Sequence, residues 1–232
     1  TKVIAVDGID LSMSSGDVVA IVGASGSGKT TLMHLLGGLE RSDSGSVSVA
    51  GHDLCSVSDA QLTRLRLQHI GVVFQNYNLM PTLSAVDNVA LPLLLAGTAK
   101  KVAREHAKQR LDEVGLSDRF KHQPAQLSGG EQQRIALARS MVNDPEIVLA
   151  DEPTGSLDRQ NSIVVIELLR RVVASQNRAV AVVTHDPLVA ARADRVLVMS
   201  DGVIADQFCA GDVGSVDELN NRVLQAGSLS AN

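Results

Sequence analysis

The stretch DVVAIVGASGSGKTTLMHLLGGL, positions 17–39, constrains the fold more than any other part of the chain. Its first half is an unbroken apolar run, the pattern of a strand buried on both faces in a helix-covered parallel sheet. Its middle, GASGSGKT at 23–30, fits G-x-x-x-x-G-K-[ST], and its last part has the spacing of a helix. Strand, glycine loop and helix in that order are one half of an α/β crossover unit. The composition agrees with a sheet of this kind. Apolar residues make up 44% of the 232 positions, aromatics only 2% and Trp is absent, so Val, Leu, Ile and Ala must build the core.

The loop carries specific chemistry. Gly23, Gly26 and Gly28 let backbone N–H groups approach phosphate oxygens closely, and Lys29 reaches the outer phosphates of a nucleoside triphosphate. The Thr30 hydroxyl is a ligand for Mg²⁺. Ser25, Ser27 and Thr31 complete the nucleotide-binding stretch. Three further apolar runs end in polar groups: IGVVFQ at Gln75, EIVLADE at Asp151 and Glu152, and AVAVVTH at His185. Ligands bind beyond the carboxyl ends of parallel strands, so these tips are expected to converge with the loop on one crevice. Asp151 suits the metal, and Glu152 suits orienting or deprotonating an attacking water. Gln75 is a candidate for metal or water contact, and His185 for contact with the terminal phosphate or Glu152.

Between these tips the pattern changes. Ile9, Leu11 and Met13, then Val47 and Val49, alternate as in a small antiparallel β section. From about 76 to 145 the periodicity is helical, with Val102, Ala107, Leu111 and Val114 on one face and Gly115 as a stop. This region is expected to form a helical subdomain inserted in a single domain, with a short helix and tail from about 211 to 232. Lys100, Lys101 and Arg104 read as a solvated helix face. LSGGEQQRIALAR at 127–139 opens with a Ser128–Glu131 capping box, and Gly129 and Gly130 bare the helix end as if for an anion.

Several functions are disfavoured. The net charge of −5 argues against nucleic acid as a partner. Cys55 and Cys209 are too isolated for a zinc site or a disulfide framework. No apolar run reaches 18 residues, and VALPLLLAG at 89–97 is short and broken by Pro92. The first residues lack the plan of a signal peptide.

In order and spacing the phosphate loop, Gln75, LSGGE at 127–131, IVLADEP at 147–153, SLD at 156–158 and His185 resemble the ATP-binding cassette (ABC) ATPases. The resemblance covers nearly the whole chain and implies a P-loop NTPase fold with ATP and Mg²⁺ as ligands. It also implies a homodimer in which Ser128, Gly129, Gly130 and Glu131 meet the nucleotide held by a second copy. Asp158 joins the nucleotide site on the same ground, and Gln75 joins Thr30 and Asp151 around the metal. Ser128 is expected to face phosphate while Glu131 closes the cap. An integral membrane permease is the implied partner, placing the chain on the inner, cytoplasmic face of the membrane. FQNYNLMPTLSAVDNVALPLLLAG and DEPTGSLD are similar to the branch serving lipoprotein release, macrolide efflux and division-associated FtsE-type complexes. A nucleotide-gated regulator that moves no cargo is the alternative within that branch. The chain departs from the family in one respect: no aromatic precedes Phe74 to stack on adenine. Either the numbered chain begins after that residue, or the base is held differently.

Overall fold

The computed structural model describes residues 4–176 and 178–229 of the chain. The central strand β1 (Val18–Gly23) is buried along almost its whole length, because every residue from Val18 to Val22 is apolar and both faces are covered. It pairs in parallel with β6 (Ala179–Val183) on one side and with β7 (Arg195–Ser200) on the other. Beyond β6 follow β5 (Ile147–Asp151) and β4 (Ile70–Val73), also parallel. The other edge is β8 (Val203–Cys209), antiparallel to β7. The six-stranded order is thus β4-β5-β6-β1-β7-β8. A separate antiparallel pair joins β2 (Ser48–Val49) to β3 (His52–Asp53).

The pleat divides β1 between two cores. Val19 and Ile21 face a layer with Leu32 and Met33 of α1 (Lys29–Leu36) and Leu62 of α2 (Asp59–His69). Val18, Ala20 and Val22 face the larger core, which includes α3 (Ala85–Leu95), α4 (Lys100–Glu113) and α5 (Gly129–Met141). That core also includes α6 (Arg159–Gln176), α7 (Pro187–Ala190) and α8 (Val216–Leu229). Each fully buried Val, Leu or Ile contributes about 1.5–3 kcal/mol, so this two-sided strand is the anchor of the phosphate loop that follows it.

Four details differ from the sequence reading. Ile9, Leu11 and Met13 all pack, partly buried, against the same core, but they lie in a segment outside any ladder. Val102 is 47% exposed, and its neighbour Ala103 takes the buried position on α4, because Ala103, Ala107 and Leu111 are spaced by four on the face that packs on α3 and α5. The helix α2 has no counterpart in the sequence reading, since Leu62 is its one buried residue and it has no apolar period to mark it. Arg104 does not merely face solvent, as it donates to Asp87 at 2.7 Å, while Lys100 and Lys101 are exposed. A further polar anchor is Asn88, wholly buried, which accepts from the Met80 N–H and donates to the carbonyls of Met80, Leu83 and Ser84. It fixes the chain entering α3. Among the described residues no helix is long and apolar enough to cross a membrane.

Candidate nucleotide site

The phosphate loop begins where β1 ends. Gly23 pairs with Met199, and a Cβ built on it would lie 2.2 Å from the Met199 carbonyl oxygen, so no other residue fits without moving backbone. Gly26 (φ 81°) and Gly28 (φ 97°) take the left-handed turn that opens α1. Gly28 supplies no side-chain cap, and the first turn has no acidic residue. A helix end of this kind leaves its N–H groups and positive dipole for an anion. Ser25, Gly26 and Thr30 are exposed there, Thr31 is half-buried, and Ser27 is buried within the loop. Lys29 is folded inward, its Nζ donating to the carbonyls of Gly23 (3.0 Å) and Ala24 (2.7 Å). Burial pushes its pKa down from the ordinary lysine value, opposed by the charges of Glu152 and Asp151. A cleft of about 760 Å³ adjoins the loop, lined by Val6, Ile9, Leu11, Thr31 and Leu35 among others and by no aromatic.

Asp151 is the last residue of β5, and burial pushes its carboxyl up, helped by the neighbouring Glu152 charge and opposed by His34 and Lys29. Glu152 then turns sharply, with φ 45°, while its N–H still donates to the Val183 carbonyl at 2.9 Å. Its Oε1 lies 2.9 Å from His185 Nδ1, and its Oε2 is buried with no hydrogen-bond partner. Gln75 reaches the same turn. A Cβ on Gly155 would be 3.2 Å from Gln75 Nε2 and 3.6 Å from Glu152 Cβ. Lys29, Gln75, Asp151, Glu152 and His185 are therefore one cluster, as the strand-tip argument requires. The donor set fits a nucleotide with its metal: a glycine cradle without side chains, one ammonium, two carboxylates, and a buried carboxylate oxygen that lacks a partner.

The second glycine site lies apart. Ser128 caps α5 and closes a full capping box with Glu131, whose Oε2 accepts from the Ser128 N–H (2.8 Å) and hydroxyl (2.9 Å). The Ser128 hydroxyl also donates to the carboxylate that completes the cap, and the residue itself is exposed. Glu131 also accepts from Arg119 Nε at 2.9 Å, and its carboxyl is held down to about 2, chiefly by the Ser128 backbone N–H. Gly129 is overlain by Tyr77, and Gly130 by Asn161, whose Oδ1 would be 2.5 Å from an added Cβ. Asn161 is itself fixed by Asp158, which accepts from its N–H (2.9 Å) and from its Nδ2 (2.7 Å). Among the described residues no hydrogen bond joins 128–131 to the phosphate loop. Tyr77, Arg139 and Asn161 were not singled out in the sequence, because nothing local marks a partner some tens of residues away.

A parallel sheet with a phosphate loop at β1 and an acidic pair at the tip of the second strand over defines a P-loop nucleoside triphosphatase. The separate Ser-Gly-Gly helix end narrows this to a cassette. The ABC transporter family matches residues 6–155, and the chain belongs to that family. It is 47% identical over 202 residues to the lipoprotein-releasing system ATP-binding protein LolD of Legionella pneumophila, covering 87% of this chain and 89% of that protein. It is 48% identical over 207 residues to the macrolide export ATP-binding/permease protein MacB of Burkholderia pseudomallei, covering 89% of this chain and 32% of that protein. In three dimensions it resembles the ATP-binding cassette MJ0796, solved as a dimer in a post-hydrolysis state with ADP and Pi. The TM-score is 0.83 with 36% identity, over 90% of this chain and 91% of that one. The chain is an ATP-binding cassette with the ABC ATPase fold.

Proposed function

We propose that this cassette hydrolyses ATP between its phosphate loop and the Ser128–Glu131 helix end of a second copy, and that closure and opening of the pair drive an integral membrane permease. The observation that carries the reading is the Glu152 carboxylate: Oε1 tied to His185, Oε2 buried without a partner, and Lys29 and Asp151 beside it. An acceptor so placed is expensive to bury unless a ligand or water completes it.

Each residue then has a defined task. The N–H groups of the 23–30 loop and the first turn of α1, with Ser25, Ser27 and Thr31, receive phosphate oxygens. Lys29 exchanges its carbonyl partners for the outer phosphates. Thr30, Asp151 and Gln75 would hold Mg²⁺, which neutralises charge on the phosphate oxygens. Glu152 Oε2 orients the attacking water and accepts its proton as the new O–P bond forms and the bond to ADP breaks. His185 keeps the carboxylate in that orientation. For Ser128 to donate to a phosphate, its hydroxyl proton must leave Glu131 Oε2, while the two backbone bonds of the capping box stay in place. Asp158 lies beside this end through Asn161.

The whole chain is read as one nucleotide-binding domain. Within it, residues 76–145 act as the helical subdomain that carries motion from Gln75 to the permease, and 211–232 as a C-terminal helix and tail. The chain then sits on the inner face of the membrane through that permease, with no role for nucleic acid. The cargo is of the lipoprotein-release or export class, by likeness to the relatives above. The test is the Glu152→Gln protein with Mg-ATP. It should bind nucleotide, fail to release phosphate, become a dimer by light scattering, and capture a membrane-spanning protein from detergent-solubilised native membranes. A monomer at saturating Mg-ATP, with the membrane protein also present, overturns the reading. Capture of soluble proteins alone favours a regulatory cassette.

A further inference from the structure

Arg139, in the last turn of α5, sends its guanidinium to a distant loop, donating to the carbonyls of Asn78 (2.6 Å) and Tyr77 (2.7 Å). Tyr77 and Asn78 both have left-handed backbone, φ 58° and 48°. Side chains other than glycine adopt that region only where the surroundings hold them there. Two local bonds, Tyr77 N–H to the Phe74 carbonyl and Asn78 N–H to the Asn76 carbonyl, close the turn, and the Arg139 fork ties it to α5, since two N–H groups in a rigid plane meet two successive carbonyls. Among the described residues no carboxylate pairs with Arg139, and burial pushes its pKa down from the ordinary arginine value. Its charge is committed to this turn.

The same loop touches both parts of the site. At one end Gln75 lies over Gly155, in the turn that carries Glu152. Two residues later the Tyr77 hydroxyl lies over the first glycine of α5, 3.0 Å from where a Cβ on Gly129 would stand. The helix is also fixed to the Glu152 turn, because the wholly buried Gln133 donates to the Pro153 carbonyl at 2.7 Å. Any group arriving at Gly129 therefore meets a phenol whose backbone is clamped by the other end of the same helix.

We infer that Arg139 is a positioning residue, which by locking Tyr77 and Asn78 into their left-handed turn holds the Tyr77 hydroxyl at the Gly129 helix end and ties occupancy of that end to the placement of Gln75. The coupling to occupancy rests on the dimer reading above. The clamp itself does not. The chain has one tyrosine and no tryptophan, so its intrinsic emission reports Tyr77 alone.

Two measurements separate the two levels. In nucleotide-free protein, acrylamide quenching of tyrosine emission should increase in Arg139→Lys, whose ammonium cannot satisfy two carbonyls at fixed geometry. Unchanged quenching overturns the clamp. In the Glu152→Gln background, Mg-ATP should change tyrosine emission as light scattering registers the dimer, and Arg139→Lys should dimerise without that change. An identical change in both proteins overturns the coupling while leaving the dimer intact; a missing dimer with normal quenching results overturns the functional reading and leaves the clamp. With Glu152 present, Arg139→Lys should lower kcat about tenfold and leave KM within about twofold, the pattern of a lost transition-state arrangement. A smaller active fraction would also lower kcat at unchanged KM, so kcat is referred to the concentration of nucleotide-binding sites found by titration, and a normal kcat per site would count against the inference. Should Arg139→Lys fail to fold, Tyr77→Phe carries the test: a lowered kcat at unchanged KM supports the placement of the hydroxyl, and an unchanged kcat overturns it.

Discussion

Glu152 Oε1 lies 2.9 Å from His185 Nδ1, across the gap between the tips of β5 and β6, with Glu152 in left-handed backbone at φ 45°. The turn throws the carboxylate sideways from the strand line, and the histidine, 70% exposed, catches one oxygen, while the other is buried without a partner. Strain at a residue of this kind costs of the order of 1–3 kcal/mol and persists only where neighbouring structure fixes it. Here the Glu152 N–H to Val183 carbonyl bond supplies that fixing.

His185→Ala should therefore leave nucleotide affinity within about twofold and lower kcat by about 10²-fold, the range for losing the alignment of a general base. His185→Gln, able to reach the same oxygen, should fall between. Phosphate-release kinetics together with equilibrium nucleotide titration separate the two effects. Parallel losses in affinity and turnover would place His185 on the nucleotide rather than on Glu152.

Lys29→Ala should raise the Kd for Mg-ATP between about tenfold and a hundredfold, since a charged hydrogen bond contributes about 1.5–3 kcal/mol. Part of that gain is offset in the wild type, because Lys29 must first leave the Gly23 and Ala24 carbonyls. Isothermal titration calorimetry measures the change directly. Unaltered affinity would mean that the 23–30 loop is not the phosphate site.

The phosphate loop, the acidic pair and the α5 cap were legible because each is written in adjacent residues: apolar run then glycines, apolar run then Asp-Glu, Ser128 then Glu131. Val102 was placed on the core face by its size, although Ala103, Ala107 and Leu111 are spaced by four on one face and Val102 lies on the opposite side of the helix from Leu111. What was not legible depends on pairs distant in sequence. Arg139 reads as one more basic residue in a helix until its 61- and 62-residue reach to Asn78 and Tyr77 is seen. The occupied Ser128 hydroxyl was hidden for a subtler reason: a capping box announces the backbone bonds, but not whether the carboxylate also takes the hydroxyl proton.

Gly130→Ala should destabilise the fold by about 1–3 kcal/mol, the usual cost of overpacking. The new Cβ would meet Asn161 Oδ1 at 2.5 Å and its Cγ at 2.7 Å. Asn161 cannot simply swing away, because Asp158 holds its amide at 2.7 Å. Asn161→Ala in the same chain should then restore most of the loss, with a coupling above about 0.5 kcal/mol in a double-mutant cycle by chemical denaturation. Additive effects would mean that α5 and α6 are not in contact at this point in solution.

Glu131 offers a prediction with a defined sign. Its carboxyl is held at about 2 in the fold against an ordinary 4.5, first by the Ser128 backbone N–H and, after the opposing cost of burial, by Arg119. A folded value below the unfolded one means that the ionised form is favoured by folding. Its stabilisation is complete above pH 4.5 and is lost as the pH falls from 4.5 towards 2. With its side chain 19% exposed, solvent screening reduces the full linkage value, leaving a contribution of about 2 kcal/mol. Glu131→Gln keeps a carbonyl for the Ser128 N–H and hydroxyl but has no charge for Arg119. Wild type and variant should differ by about 2 kcal/mol at neutral pH in urea denaturation, and the gap should close on acidification through that window. A gap that persists unchanged at pH 2 would mean that the cap is worth the same with either protonation state, and that the charge on Glu131 contributes nothing to the α5 end.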